Sequence, residues 1–169
     1  AIDACSDLLE NFGGHMYAAG LTMKIENVPL FMERFEKYVS ENIMPEQMMP
    51  QIEVDSYLHL ASITPSFFKI LNQFQPFGPG NMKPVFKTSN VFDYETSKAV
   101  GRDKDHLKLE LIEEHSAAIK QGVAFGMGDK IDLIKDGKPF DICYTVDENN
   151  FNGHISLQLT VKDIHIPSV

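Results

Sequence analysis

The chain has 169 residues and a mass of 19.0 kDa, with 43% hydrophobic and 23% charged residues. This is ordinary globular usage, which excludes a disordered or fibrous chain and leaves room for one domain or two small ones. Fifteen basic against 24 acidic residues give a net charge of −9, which argues against a general phosphate-backbone binder, and no apolar run reaches the ~18 residues of a membrane span.

In chain order, residues 3–12 (DACSDLLENF) predict a short helix with Leu8, Leu9 and Phe12 on one face, stopped by Gly13-Gly14. So dense a start suggests a piece cut from a longer protein. It has no basic-then-apolar leader, so it is not read as a signal peptide. A strand is expected over Leu21–Ile25. Asn27-Val28-Pro29 opens a helix over 29–43, with Asn27 as cap and Leu30, Phe31, Phe35, Tyr38, Val39 and Ile43 at helical spacing. The run MPEQMMPQ (44–51) breaks the pattern, so a boundary is placed there, giving domains 1–47 and 48–169.

Residues 52–60 alternate like a strand, and Thr64-Pro65 opens a helix to about Phe74. The Gly/Pro loop PFGPGNMKP (76–84) follows. Strand-like runs lie near 85–94, 97–101, 106–113, 116–125, 140–147 and 154–165, separated by turn signals at 101–104, 126–129, 135–138 and 148–150. The expected fold is α+β: a small α/β part, then a small β-barrel of five or six strands with one inserted helix.

Three segments carry chemistry. Gly13, Gly14 and His15 with Ala18, Ala19 and Gly20 could bring backbone N–H groups and a helix N-terminus up to a phosphate. A glycine stop followed by tight packing is the plainer alternative. Phe77 and Asn81 in the Gly/Pro loop could face a base or merely shape a rigid turn. Residues 83–108 hold six cations, Lys83, Lys87, Lys98, Arg102, Lys104 and Lys108, against four acids, with Phe86, Phe92 and Tyr94 interleaved. In HLKLEL, His106 and Lys108 share one face and Leu107, Leu109 and Leu111 the other. An ordinary solvated face would look the same.

Cys5 and Cys143 lie far apart and in no metal-ligand spacing, which favours a reduced, cytoplasmic protein, although one disulfide stays open. The six histidines form no HxH or HxxxH pattern. No metal site and no nucleophile–base pair is legible, so the chain by itself is not expected to be catalytic.

The run GGHMYAAG (13–20) followed by LTMKI resembles the DHHA1 accessory domain of the DHH phosphoesterase superfamily. Four further blocks, PFGPGNMKPVF, VGRDKDHLKLEL, AIKQGVAFGMG and NNFNGHISLQLTVKDI, are similar in order and kind to the OB-fold region of RecJ-type 5′→3′ single-strand DNA exonucleases. The resemblance implies that Gly13, Gly14 and His15 hold substrate phosphate, with Ala18, Ala19 and Gly20 shaping the pocket. It implies that the OB region guides single-stranded DNA. The residues expected to do so are Lys83, Lys87, Arg102, Lys104, His106 and Lys108, with Phe77 and Asn81 in the matching loop. The family's Mn²⁺ or Mg²⁺ centre belongs to an N-terminal DHH domain, and no DHH triplet occurs here. The implied partners are that domain, single-stranded DNA, single-strand-binding protein and a helicase. Two other readings stand beside this one: a module that docks single-strand-binding protein, and part of an oligoribonuclease-type phosphoesterase.

Overall fold

A computed structural model of the chain describes residues 1–15, 18–151 and 153–167. It divides into two compact units, Ala1–Gln51 and Ile52–Val169. Among the described residues no helix is long and apolar enough to cross a membrane.

In the first unit Asp3–Leu8 is a 3₁₀ helix that buries Cys5 and Leu8. The helix expected over 3–12 ends early. Asn11–His15 forms strand β1 and Ala18–Thr22 forms β2, paired antiparallel with Gly13 opposite Gly20 and Gly14 opposite Ala19. Phe12 misled the reading because it lies one helical turn beyond Leu8, whereas its actual partner is Leu21 across the ribbon. Glycine is a poor helix interior residue, and here the pair sits inside a strand rather than at a helix stop. The strand placed at 21–25 starts three residues earlier, and Ile25–Asn27 is a 3₁₀ turn.

Helix α1, Val28–Asn42, carries Pro29 in its first turn, where no N–H is needed. Asn27 does not cap it through its side chain. Its Nδ2 donates instead to the Leu8 carbonyl at 3.0 Å, tying the 3₁₀ helix to the start of α1. Phe31 and Phe35 stack at 5.5 Å and are half-buried with Val39, while Leu30 and Tyr38 stay exposed.

In the second unit the strand expected over 52–60 shrinks to β3, Ser56–Tyr57. Helix α2, Pro65–Leu71, starts as predicted, because the Thr64 hydroxyl accepts the Phe67 N–H at 3.1 Å. Six strands follow: β4 (Phe86–Asp93), β5 (Lys98–Val100), β6 (His106–Glu113), β7 (Lys120–Ala124), β8 (Phe140–Phe151) and β9 (His154–His165). Five of them close a circuit through the pairings β4–β8–β9–β7–β6–β4, with β7–β9 parallel and the others antiparallel. The unit is sheet-rich and OB-like.

The inward positions of the circuit make the core. Leu107, Leu109 and Leu111 are fully buried, with Tyr144, Val146 and Leu159 facing them from β8 and β9. The buried Tyr144 hydroxyl lies 2.8 Å from that of Thr88, and Thr88 Oγ1 also donates to the Leu58 carbonyl. Burial pushes the Tyr144 phenol up to about 12.

One turn expectation is corrected. Residues 148–150 lie within β8, where Glu148, Asn149 and Asn150 pair with Leu157, Ser156 and Ile155. Loop-like composition yields here to a ladder that satisfies the backbone. Residues 126–129 separate β7 from β8 as expected, and they lead into a 3₁₀ turn, Gly128–Lys130, and then α3, Ile131–Ile134. Besides α2, which lies between β3 and β4 as expected, the short α3 is inserted between β7 and β8. Gly128 has a specific reason: a methyl there would stand 1.9 Å from the Lys104 carbonyl oxygen, and its N–H donates to the Asp105 carbonyl at 3.0 Å.

Candidate nucleic-acid interface

Side chains alternate across each strand, so the residues between the buried leucines face outward. Register fixes their neighbours. Lys108 on β6 stands between Lys98 on β5 and Val123 on β7, and Val123 is opposite Thr160 on β9. Thr160 pairs with Thr145 on β8, Gln158 with Asp147, and Ser156 with Asn149. One continuous face therefore runs over β5, β6, β7, β9 and β8.

A groove of about 480 Å³ lies on this face, its lining including Val100, Lys108, Val123, Phe125, Asn149 and Gln158. A second, of about 400 Å³, lies further along between Lys83, Asp147, Thr160 and Lys162. Phe125 directly follows β7 and is 60% exposed. His106 meets its ring edge-on at 5.2 Å. The His106 ring is held in turn by the Gly126 N–H, which donates to Nδ1 at 3.1 Å. Phe125, Val123, Gln158 and Lys162 were not singled out in the sequence. The signal for Val123, Gln158 and Lys162 was available in the period-2 alternation of β7 and β9, which puts Val123 on the face opposite the buried Gly122 and Ala124, whereas Phe125 lies in the turn after β7.

The six cations expected to form one patch divide into two groups. Lys108 lies in the groove, and Arg102 and Lys104 sit on the exposed turn between β5 and β6. With Lys98 these make no ion pair among the described residues. Lys83 and Lys87 are committed elsewhere. Lys83 pairs with Asp147, whose carboxylate also accepts from Thr145 at 3.0 Å and Thr160 at 2.7 Å. Burial works to raise the Asp147 carboxyl, but Lys83 and the two hydroxyls outweigh it and hold it below the usual value. Lys87 pairs with Asp141 at 2.7 Å and lies 5.9 Å from the centre of the Tyr57 ring. The Asp141 hydrogen bond raises the Lys87 ammonium. For Asp141 itself, burial is again outweighed, here by Lys87 and the Asn90 N–H, so its carboxyl is held low. Sequence counting could not see these pairings because Asp141 and Asp147 come from β8, far along the chain.

The Gly/Pro loop is a shaped turn. The Asn81 amide donates to the Phe74 and Pro76 carbonyls at 2.8 and 2.9 Å, and Phe77 is half-buried.

In the first unit the paired strands bring Gly13, His15, Ala18 and Gly20 to one face of the ribbon and Gly14 and Ala19 to the other. Among the described residues, strand stands on both sides of the expected helical turn, at Asn11–His15 and Ala18–Thr22. A methyl on Gly13 or Gly20 would meet nothing within 4 Å, so an outside group can approach the backbone at this pair. On Gly14 it would strike the Ala18 carbonyl oxygen at 2.4 Å. Met16 and Tyr17 of the GGHMYAAG run lie outside the described residues.

The model of the RecJ OB domain matches residues 54–163. The chain is 31% identical over 163 residues to the single-stranded-DNA-specific exonuclease RecJ of Bacillus subtilis, covering 96% of this chain and 20% of that protein. It is 27% identical over 157 residues to RecJ of Escherichia coli, covering 93% and 26%. In fold it is similar to the crystal structure of RecJ in complex with Mn²⁺ from Thermus thermophilus, with a TM-score of 0.73 at 23% identity over 99% of this chain and 24% of that one. The chain thus spans about a fifth to a quarter of the length of these relatives. With the matched segment running from just before β3 almost to the end of β9, the chain belongs to the RecJ OB domain family.

Proposed function

We propose that this chain is the substrate-guiding part of a RecJ-like 5′→3′ single-strand DNA exonuclease. The five-strand circuit is read as a small OB barrel, with residues 1–47 as the end of a DHHA1 domain. The observation that carries the reading is the groove over β6, β7 and β9. It combines an exposed aromatic ring, apolar and amide side chains, and a rim of cations without ion-pair partners among the described residues. Single strands expose bases that such a face can stack, whereas a duplex hides them.

The glycine ribbon adds a second contact. Its open Gly13–Gly20 pair and His15 are read as the place where a substrate phosphate is held against a DHH catalytic domain. Cleavage, and the Mn²⁺ or Mg²⁺ that would activate a water for it, belong to that domain. The described residues gather no trio of His, Cys, Asp or Glu and so do not fit a metal centre.

Fluorescence anisotropy with a labelled single-stranded oligonucleotide tests the reading. Binding is expected at low salt, weaker for a duplex of the same length. The log–log salt slope should be no steeper than about −3, since Lys98, Arg102, Lys104 and Lys108 offer few phosphate contacts. A folded chain that binds no single strand at low salt overturns it.

A further inference from the structure

The lining of the groove is almost uncharged. Among the described residues, Lys108 is its one fixed charge; the rest is Val100, Val123 and Phe125, the amides of Gln121, Gln158 and Asn149, Ser156 and His154. Lys98 lies beside Lys108 on the edge strand, and Arg102 and Lys104 lie on the exposed turn that follows Val100, with Asp103 and Asp105 between and after them. A phosphate has little reason to enter such a floor, because it would leave water for a site with a single counter-charge. A base has every reason to do so. It has an apolar face for the aromatic ring and valines, and edge donors and acceptors for the amides.

Phe125 is the centre of this arrangement. It stands in the turn directly after β7, it is 60% exposed, and its ring has a partner. The T-shaped His106 contact restrains the ring, and the Gly126 N–H restrains His106. An aromatic ring held in place before a ligand arrives loses less freedom on stacking.

We propose that the groove takes single-stranded DNA with its bases inward, that Phe125 is the platform on which one base stacks, and that His106 is the positioning residue for that platform. This rests on the single-strand reading above and deepens it: the recognised chemistry is the base, with the phosphates left to the rim.

The chain contains no tryptophan, so Phe125→Trp introduces a lone reporter at the platform. The probe is an oligo-dT of about twelve nucleotides, within the usual span of one OB fold, beside an abasic deoxyribose-phosphate strand of equal length. The expected result is saturable quenching of the tryptophan by oligo-dT, and an abasic strand that binds about tenfold more weakly or worse. Phe125→Ala, at an exposed position, should weaken oligo-dT binding by about tenfold. His106→Ala should weaken it less. His106→Asn, which keeps an acceptor for the Gly126 N–H, should restore part of that loss.

Oligo-dT that binds without quenching, with unchanged affinity in Phe125→Ala, overturns the base-inward proposal and leaves the single-strand reading standing. Equal affinity for the abasic strand does the same. A folded chain that binds neither strand overturns both.

Discussion

The two units hold themselves together in different ways. Residues 52–169 close a ring of strands around a sealed core, and Leu107, Leu109, Leu111, Tyr144 and Val146 are all out of water. Among the described residues of 1–51, only Cys5 and Leu8 are buried. Its ribbon has two strands and its main helix buries no residue fully. Two-stranded ribbons are marginal in isolation. The second unit thus has its own energetic reason to fold, and can carry an interface on an outward face without weakening its core. The first leaves Phe12, Leu21, Leu30 and Met32 exposed.

Glycines give the sharpest test of that contrast. Gly128→Ala drives a methyl into the Lys104 carbonyl in the rigid unit, and a loss of about 4 kcal/mol is expected, read as a fall in the urea midpoint. Gly13→Ala meets open space, and a change within about 0.5 kcal/mol is expected. A tolerated Gly128→Ala would mean that the approach of the turn to α3 is looser than the structure shows.

The lysines separate structure from recognition within one unit. Lys87→Ala leaves Asp141, whose side chain is 15% exposed, without its counter-charge. Its expected cost is about 1–2 kcal/mol of stability with DNA affinity little changed. Lys108→Ala removes a cation from the groove floor and should do the reverse: affinity falls about threefold to fivefold at low salt while the urea midpoint holds. The same loss of affinity in both variants would merge the two groups back into one patch.

Much of the second unit was legible because its strands alternate cleanly. In HLKLEL every second residue is a leucine, and both the boundaries of β6 and its buried face follow directly. Thr64-Pro65 announced α2 through capping chemistry that is local in sequence. What failed was decided at long range. DACSDLLENF has a helical pattern, but Phe12 is claimed by Leu21 on another strand. Asn149-Asn150 reads as a turn, but β9 supplies its backbone partners. The site was half legible for the same reason. His106 and Lys108 share a face by parity alone, whereas the pairing of Lys83 and Lys87 with carboxylates 64 and 54 residues further along is not visible in the sequence.

Acid titration probes the smallest of these differences. Asp141 and Asp147 are both held below the ordinary carboxylate value of 3.8 in the folded unit. A depressed carboxyl contributes stability that is fully present above the unfolded value and is lost as pH falls through the folded one. The urea midpoint of the second unit should therefore hold down to about pH 4 and drop below it. Asp141→Asn removes one of the two groups, so its midpoint starts lower at neutral pH and falls less steeply in acid. Asp7 is also held low, by its hydrogen bond to Arg34 at 2.6 Å, but that pair is solvent-exposed. Asp7→Asn should leave the acid limb of the second unit where it was, since exposed pairs add little. If Asp7→Asn flattened that limb as much as Asp141→Asn does, the stability of the two units would be coupled, and the contrast drawn from burial would fail.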